Sequence, residues 1–384
     1  MQRRDFVKSA GLAVAAGAMA SDLASAARAD PAKQGAPAPA IAAPALVTSN
    51  PKIVWKLTSS FPTFLDAIYG GAELFSSAVS DATDGRFRIE IHPAGEIAAA
   101  LDVFDAASKG VIDCAQTALQ YYWGAEPALA LATSVPFGMN AREQNAYFRQ
   151  GGGTDLFNEI LVDHSLFALP AGNTGCQMGG WFRKELRSAE DLRGLKYRIS
   201  GLAGKVMQKL GAVPTAAARK DIASSLQSGV LDAAAWVSPY DDERLKLTSI
   251  APNYYYPGWF QGSMAIHLVF NLAKWNALPK SYQAIVRGAA ELANVDMQAK
   301  YDAMNPPALK RLVSGGAKLR AFPDDLMQAA WLAAIEVYQE AAASNPKFKR
   351  VHESYMNFRN EEYLWWQVGE YPYDNFIIRQ RAKG

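Results

Sequence analysis

The amino-acid sequence predicts an α/β protein of two lobes. Three observations carry this: short alternating strands separated by amphipathic stretches, a length of 384 residues, and a motif that recurs further along the chain. Strands alternating with helices favour sheets covered by helices, and this length exceeds what one small core holds. The recurring motif is Lys109 to Ala115 (KGVIDCA), echoed by Ser228 to Ala234 (SGVLDAA). In each, a helix ends at glycine, the residue favoured just past a helix end, and a short apolar run follows.

The elements follow in order. Ile53 to Leu57 alternates and reads as an opening strand. A helix then runs from about Phe64 to Thr83, stopped by Asp84 and Gly85. Phe87, Ile89 and Ile91 alternate with Arg88, Glu90 and His92 as a second strand. Leu101 to Ser108 reads as a helix stopped at Gly110, and Val111 to Ala115 as a buried strand; the pairing is expected to be largely parallel. Lys196 to Ile199 is a short strand before Ser200 and Gly201, where a helix begins that runs to Leu210. Ser281 to Ala303 is a long amphipathic helix broken by Pro306 and Pro307, and Asp324 to Ala343 is another. The tail holds Tyr363, Leu364, Trp365 and Trp366, which must pack on their own subunit or on a partner, the second option implying a homodimer.

Composition narrows the function. Half the residues are hydrophobic, as in a packed globular protein. The net charge is +2, and residues 1–29 carry that excess: without Arg3, Arg4, Lys8, Arg28, Asp5 and Asp22 the remainder is neutral. A nucleic-acid-binding footprint is absent. The twin arginine at 3 and 4, with Phe6 and Lys8 before a small-residue apolar run, is a twin-arginine export signal pattern. Ala27 to Ala29 offers a cleavage site, so a periplasmic protein is expected. Residues 30–50, rich in Ala and Pro, read as a linker. Cys114 and Cys176 are read as free buried thiols, and the four histidines lack metal-ligand spacing.

Residues 171–200 concentrate binding chemistry. Gly172, Gly175, Gly179 and Gly180 permit close backbone approach, and Asn173 and Gln177 offer amide donors and acceptors. Arg198 presents a guanidinium fork suited to a carboxylate, just ahead of a helix N-terminus that also favours an anion. Aromatic clusters follow each copy of the repeated motif, and from them Tyr122 and Trp236 are the candidates for pocket walls beyond strand ends. No nucleophile elbow, phosphate loop or clustered acid–base set is found, so holding an anion fits these residues better than transforming it.

Longer motifs then carry a family resemblance: Phe137 to Asn140 (FGMN), Gly172 to Phe182 (GNTGCQMGGWF), Leu195 to Arg198 (LKYR), Gln227 to Asp232 (QSGVLD), Trp236 to Tyr240 (WVSPY) and Tyr254 to Trp259 (YYYPGW). The chain resembles the solute-binding proteins of tripartite ATP-independent periplasmic (TRAP) transporters, and among them the branch that binds 2-oxo and 2-hydroxy monocarboxylates. The resemblance covers residues 53–384. It implies a two-lobed periplasmic binding protein fold with a ligand cleft, a long connecting helix and a helical C-terminal segment. On that reading residues 53–174 with 264–300 form lobe I, 175–263 form lobe II, and 301–384 form the C-terminal segment, a candidate dimerisation element. The implied partners are a small organic acid and TRAP membrane subunits. The implied anchor is Arg198, assisted by Gln177 and Asn173.

The resemblance further implies a bound sodium or calcium ion at the positions of Gln177, a Glu before Trp236, the Trp236 backbone, and a Glu after the Tyr254–Pro257 run. Here the chain departs. Ala235 and Gln261 stand at the two acidic positions. Hard cations take much of their affinity from carboxylates, so direct, cation-independent binding of a monocarboxylate, or a change of ligand, is expected. A receptor serving a sensor is the alternative to one serving a transporter.

Overall fold

The computed structural model describes residues 50–215 and 219–381, so the leader 1–29 and all of the linker except Asn50 lie outside the described residues. Eleven strands are described: β1 (Ile53–Ser59), β2 (Phe87–His92), β3 (Cys114–Thr117), β4 (Leu166–Asn173), β5 (Gly180–Phe182), β6 (Lys196–Arg198), β7 (Val213–Thr215), β8 (Ala233–Ala234), β9 (Asn253–Tyr256), β10 (Ala265–Asn271) and β11 (Lys318–Ala321). They form two sheets, ordered β2-β1-β3-β10-β4 and β11-β9-β5-β8-β6-β7. The chain crosses from the first sheet to the second between β4 and β5, and returns between β9 and β10. The two crossing segments, 174–179 and 257–264, lie against each other: Gln177 N–H donates to Gln261 O and Gly258 N–H to Gln177 O, both at 3.0 Å.

Besides a large cluster that joins Leu119 of the first lobe to Tyr197 of the second and to Tyr338 of the C-terminal helices, each lobe has a smaller core of its own. Trp55, Leu57, Phe75, Phe87, Phe270 and Tyr282 fill the first; Trp181, Ile222, Leu226, Leu231 and Tyr254 fill the second. A further cluster joins Phe61, Leu65 and Ile68 of the first lobe to Val237 of the second and to Met297 and Tyr301.

The repeated motif is one device used twice. Gly110 and Gly229 both take the left-handed conformation, φ 71° and 81°. Asp113 Oδ2 accepts from Lys56 N–H at 2.8 Å, while Asp113 N–H donates to Lys56 O. Asp232 does the same with Lys196, its Oδ2 accepting at 3.0 Å. In each lobe this carboxylate fixes the start of a parallel pairing, β1 with β3 and β6 with β8.

The structure corrects four expectations. Pairing is mixed, because β10 runs antiparallel to β3 and β4, and β5 antiparallel to β8 and β9. These are strands that follow a lobe crossing, where chain direction is set by the return path. The long helix spans Lys280–Ser314 and passes through Pro306 and Pro307. A proline inside a helix costs about 3 kcal/mol or more. The helix persists because both flanks are buried: Val286, Ala290 and Ala293 in the first core, Leu312 in the second. It is roughly 50 Å long at 1.5 Å per residue and ties the lobes together. Within 301–384, β11 pairs with β9 in the second sheet, so that segment is not wholly helical. Both cysteines are free, but Cys176 is exposed while Cys114 is buried.

Candidate functional site

A cavity of about 220 Å³ opens between the lobes. The first lobe contributes Ser60 and Leu65 after β1, Gln120 and Tyr121 after β3, and Ser134; the second contributes Arg198, Ser200, Leu202, Ala235 and Trp236. Gln261 and Met264 of the returning crossover complete the wall. These positions follow strand ends, where open α/β sheets place ligands.

Arg198 ends β6 and is partly buried. Its Nη1 donates to Ala235 O at 2.7 Å, and its guanidinium lies 5.0 Å from the Trp236 ring. Ala235 N–H donates back to Arg198 O, continuing the β6–β8 pairing. Burial lowers the Arg198 pKa from its ordinary value, with the nearby Tyr121, Tyr197 and Asp242 opposing that shift. Arg198 is the one formally charged side chain on the described cavity wall. Beside it begins the helix Gly201–Lys209, whose first residues Leu202 and Ala203 also line the cavity. Guanidinium and helix N-terminus both favour an anion there.

The other expected residues divide. Trp236 and Gln261 line the cavity. Trp236 Nε1 is buried without a protein partner. Gln177 is buried and not on the wall: its Nε2 donates to Thr174 Oγ1 at 3.1 Å and approaches Met264 Sδ at 3.2 Å, leaving Oε1 without a partner. Asn173 is also off the wall, because its Nδ2 donates to Gln144 Oε1 and its Oδ1 accepts from Gly175 N–H. Tyr122 turns away. It stacks on Phe104 at 4.3 Å and its hydroxyl meets Thr117 Oγ1 at 2.9 Å, while its neighbour Tyr121 faces the cavity. None of the four glycines of 172–180 lines the cavity. They serve packing instead: Gly180 has φ 107°, and a Cβ there would lie 2.6 Å from Ala234 O.

The first-lobe polar set lies outside the residues expected from the sequence. Ser134 Oγ donates to Gln120 Oε1 at 2.7 Å, and Gln120 N–H donates to Thr133 Oγ1. The position of Gln120 just past β3 was the available signal, whereas Ser134 reaches it from the far side of the turn Pro127–Ala132.

For a cation, the nearby oxygens are amides and carbonyls. Ala235 presents only a methyl, and Gln261 an amide, where acids were expected. The adjacent acids are committed elsewhere: Asp241 accepts from Tyr301, Asp242 from Trp181, Tyr254 and Val237 N–H, and Glu243 from Arg311. Among the described residues no group of three or more His, Cys, Asp or Glu is placed to hold a metal. A donor set without negative charge, close to Arg198, does not fit a resident sodium or calcium ion.

Comparison with known proteins decides the family. The model of the bacterial extracellular solute-binding proteins, family 7 (DctP), matches residues 59–345. The chain belongs to this family. As a family 7 protein it is a periplasmic solute-binding protein of the TRAP type. It is 44% identical over 326 residues to a monocarboxylate 2-oxoacid-binding periplasmic protein of Nostoc sp., covering 85% of this chain and 89% of the relative. A solved TRAP solute-binding protein of Bordetella bronchiseptica is 40% identical with a TM-score of 0.84, over 87% of this chain and 99% of that one. It is a mixed-occupancy dimer with copurified calcium and picolinate in one active site. One from Pseudoalteromonas atlantica, with bound sodium and pyruvate, is 33% identical with a TM-score of 0.81, over 84% and 99%. The family is one of binding receptors, and no described helix is long and apolar enough to cross a membrane.

Proposed function

We propose that this family 7 protein captures a small monocarboxylic acid, a 2-oxo or 2-hydroxy acid, directly on Arg198, with no cation between them, and passes it chemically unchanged to TRAP membrane subunits. The observation that carries this is one guanidinium, over Trp236 and beside a helix N-terminus, as the sole formal charge among the described residues of a wall otherwise made of neutral polar and apolar side chains. One positive charge balances one carboxylate. A second carboxylate would be desolvated without a partner. The Nostoc and Pseudoalteromonas relatives support the acid class. The twin-arginine pattern supports export in folded form. A thermal-shift screen of small carboxylates tests the reading, since a ligand that binds only the native state raises Tm. Pyruvate and its longer 2-oxo homologues should shift Tm and succinate should not; a screen in which dicarboxylates alone shift it rejects the proposal.

The C-terminal helix Glu370–Arg381 buries none of its residues, and Leu364, Val368 and Ile378 are more than 60% exposed. Such an apolar strip favours a homodimer built on this tail. Light scattering is expected to give a dimer for the mature chain and a monomer when residues 367–384 are deleted.

A further inference from the structure

A polar cluster at the lobe boundary is not used by the pocket. Asp66 lies just ahead of the helix Ile68–Asp81 of the first lobe. Its Oδ2 accepts from the Tyr240 hydroxyl at 2.8 Å and pairs with Lys300 Nζ at 3.0 Å, while its Oδ1 pairs with Arg244 Nη2 at 2.7 Å. Arg244 Nη1 also donates to Phe64 O at 3.0 Å, and its guanidinium sits 4.5 Å from the Tyr240 ring. Asp66 and Phe64 belong to the first lobe, Tyr240 and Arg244 to the segment following β8 of the second, and Lys300 to the helix that runs through both. The bonds from Tyr240 and Arg244 therefore join chain segments of different lobes.

This cluster adjoins the cavity on both sides. Leu65, next to Asp66, lines the cavity, and so does Trp236, four residues before Tyr240. Leu65 and Val237 share the inter-lobe apolar cluster, with Trp236 and Tyr240 packed against it. Parting the cluster would draw Leu65 and Trp236 away from each other.

We propose that Asp66, Tyr240 and Arg244 form a latch that holds the lobes together over a captured acid and sets its rate of release. These are positioning residues, since none lines the cavity. A ligand's apparent affinity scales with the fraction of protein in the binding-competent state, and an isolated half-exposed ion pair adds little. Here Tyr240, Lys300 and Arg244 converge on one carboxylate, so Asp66→Asn takes the charge out of all three contacts at once, while Lys300 Nζ keeps its bond to the Asp66 backbone O at 2.9 Å.

The release readout rests on the acid-receptor reading; a second, ligand-free readout does not. Stopped-flow release of pyruvate from the full mature chain, followed by tryptophan fluorescence, is compared for wild type, Asp66→Asn, Tyr240→Phe and the double variant. Asp66→Asn is expected to speed release about tenfold with the association rate within about twofold, and Tyr240→Phe about threefold. The double variant should exceed Asp66→Asn by less than the threefold of Tyr240→Phe alone, because the neutral amide oxygen is a weaker acceptor for the hydroxyl than the carboxylate. Small-angle scattering without ligand should show a larger radius of gyration for Asp66→Asn than for wild type. Unchanged release and unchanged scattering in Asp66→Asn overturn the latch, even if its Tm falls, because the contact is then only packing. If wild type binds no pyruvate, the acid reading fails with that probe, and ligand-free scattering alone decides the latch.

Discussion

Replacing Arg198 with alanine is expected to abolish the Tm shift that a monocarboxylate gives the mature protein and to raise Kd a hundredfold or more. Breaking a buried ion pair leaves the partner charge desolvated, a loss of about 3 kcal/mol or more, and each 1.4 kcal/mol is tenfold in Kd. Arg198 also donates to Ala235 O and covers the Trp236 ring, so alanine disturbs the wall itself. Arg198→Lys separates the two effects. It keeps the charge but loses the planar fork, and should retain part of the affinity. Equal loss in both variants would assign the effect to wall geometry, and an unchanged ligand shift in Arg198→Ala would remove the anchor role.

The largest expected effect on stability is at Asp242. This fully buried carboxylate accepts from Val237 N–H at 3.0 Å, Tyr254 hydroxyl at 2.8 Å and Trp181 Nε1 at 3.2 Å. Asp242→Ala leaves three buried donors without an acceptor, each worth about 1–3 kcal/mol, so urea unfolding should show a loss of about 3–5 kcal/mol. Burial, as the leading cause, pushes the Asp242 carboxyl up to about 7 and that of Asp241 to about 6. The folded protein then binds these protons more tightly than the unfolded chain does. Their contribution is full below the ordinary carboxylate value of about 3.9 and is lost as pH rises through the folded values. Unfolding free energy from this pair should therefore fall between pH 4 and 7, and Asp242→Asn should flatten that slope. A slope that rises over this window in wild type and is unchanged in Asp242→Asn contradicts the assignment.

How far the sequence was legible depended on how local each signal was. Arg198 was readable because a three-residue strand, a serine and a helix start are contiguous. Trp236 followed from the repeated motif, whose Asp113 and Asp232 hold equivalent bonds in the two lobes. Tyr122 and Tyr121 could not be separated, because they lie in one short 3₁₀ turn (Leu119–Tyr122) where no periodicity says which ring faces inward. Asn173 and Gln177 have the right chemistry, but Gln144 and Thr174, which engage them, come from tertiary packing. The helix through Pro306 and Pro307 violates local propensity and is held by burial at both ends, which no local rule reveals. β11 is four residues among helices, too short to announce itself.

The central claim is direct capture of one carboxylate by Arg198 with no ion between them. Isothermal titration of pyruvate and its longer 2-oxo homologues into protein stripped with chelator, in sodium-free buffer and again with sodium or calcium added, tests it most directly. The account predicts the same Kd, within about twofold, in all three conditions. Binding that appears only when sodium or calcium is present would contradict it, and would return Gln177, the Trp236 backbone and Gln261 to the role of cation ligands.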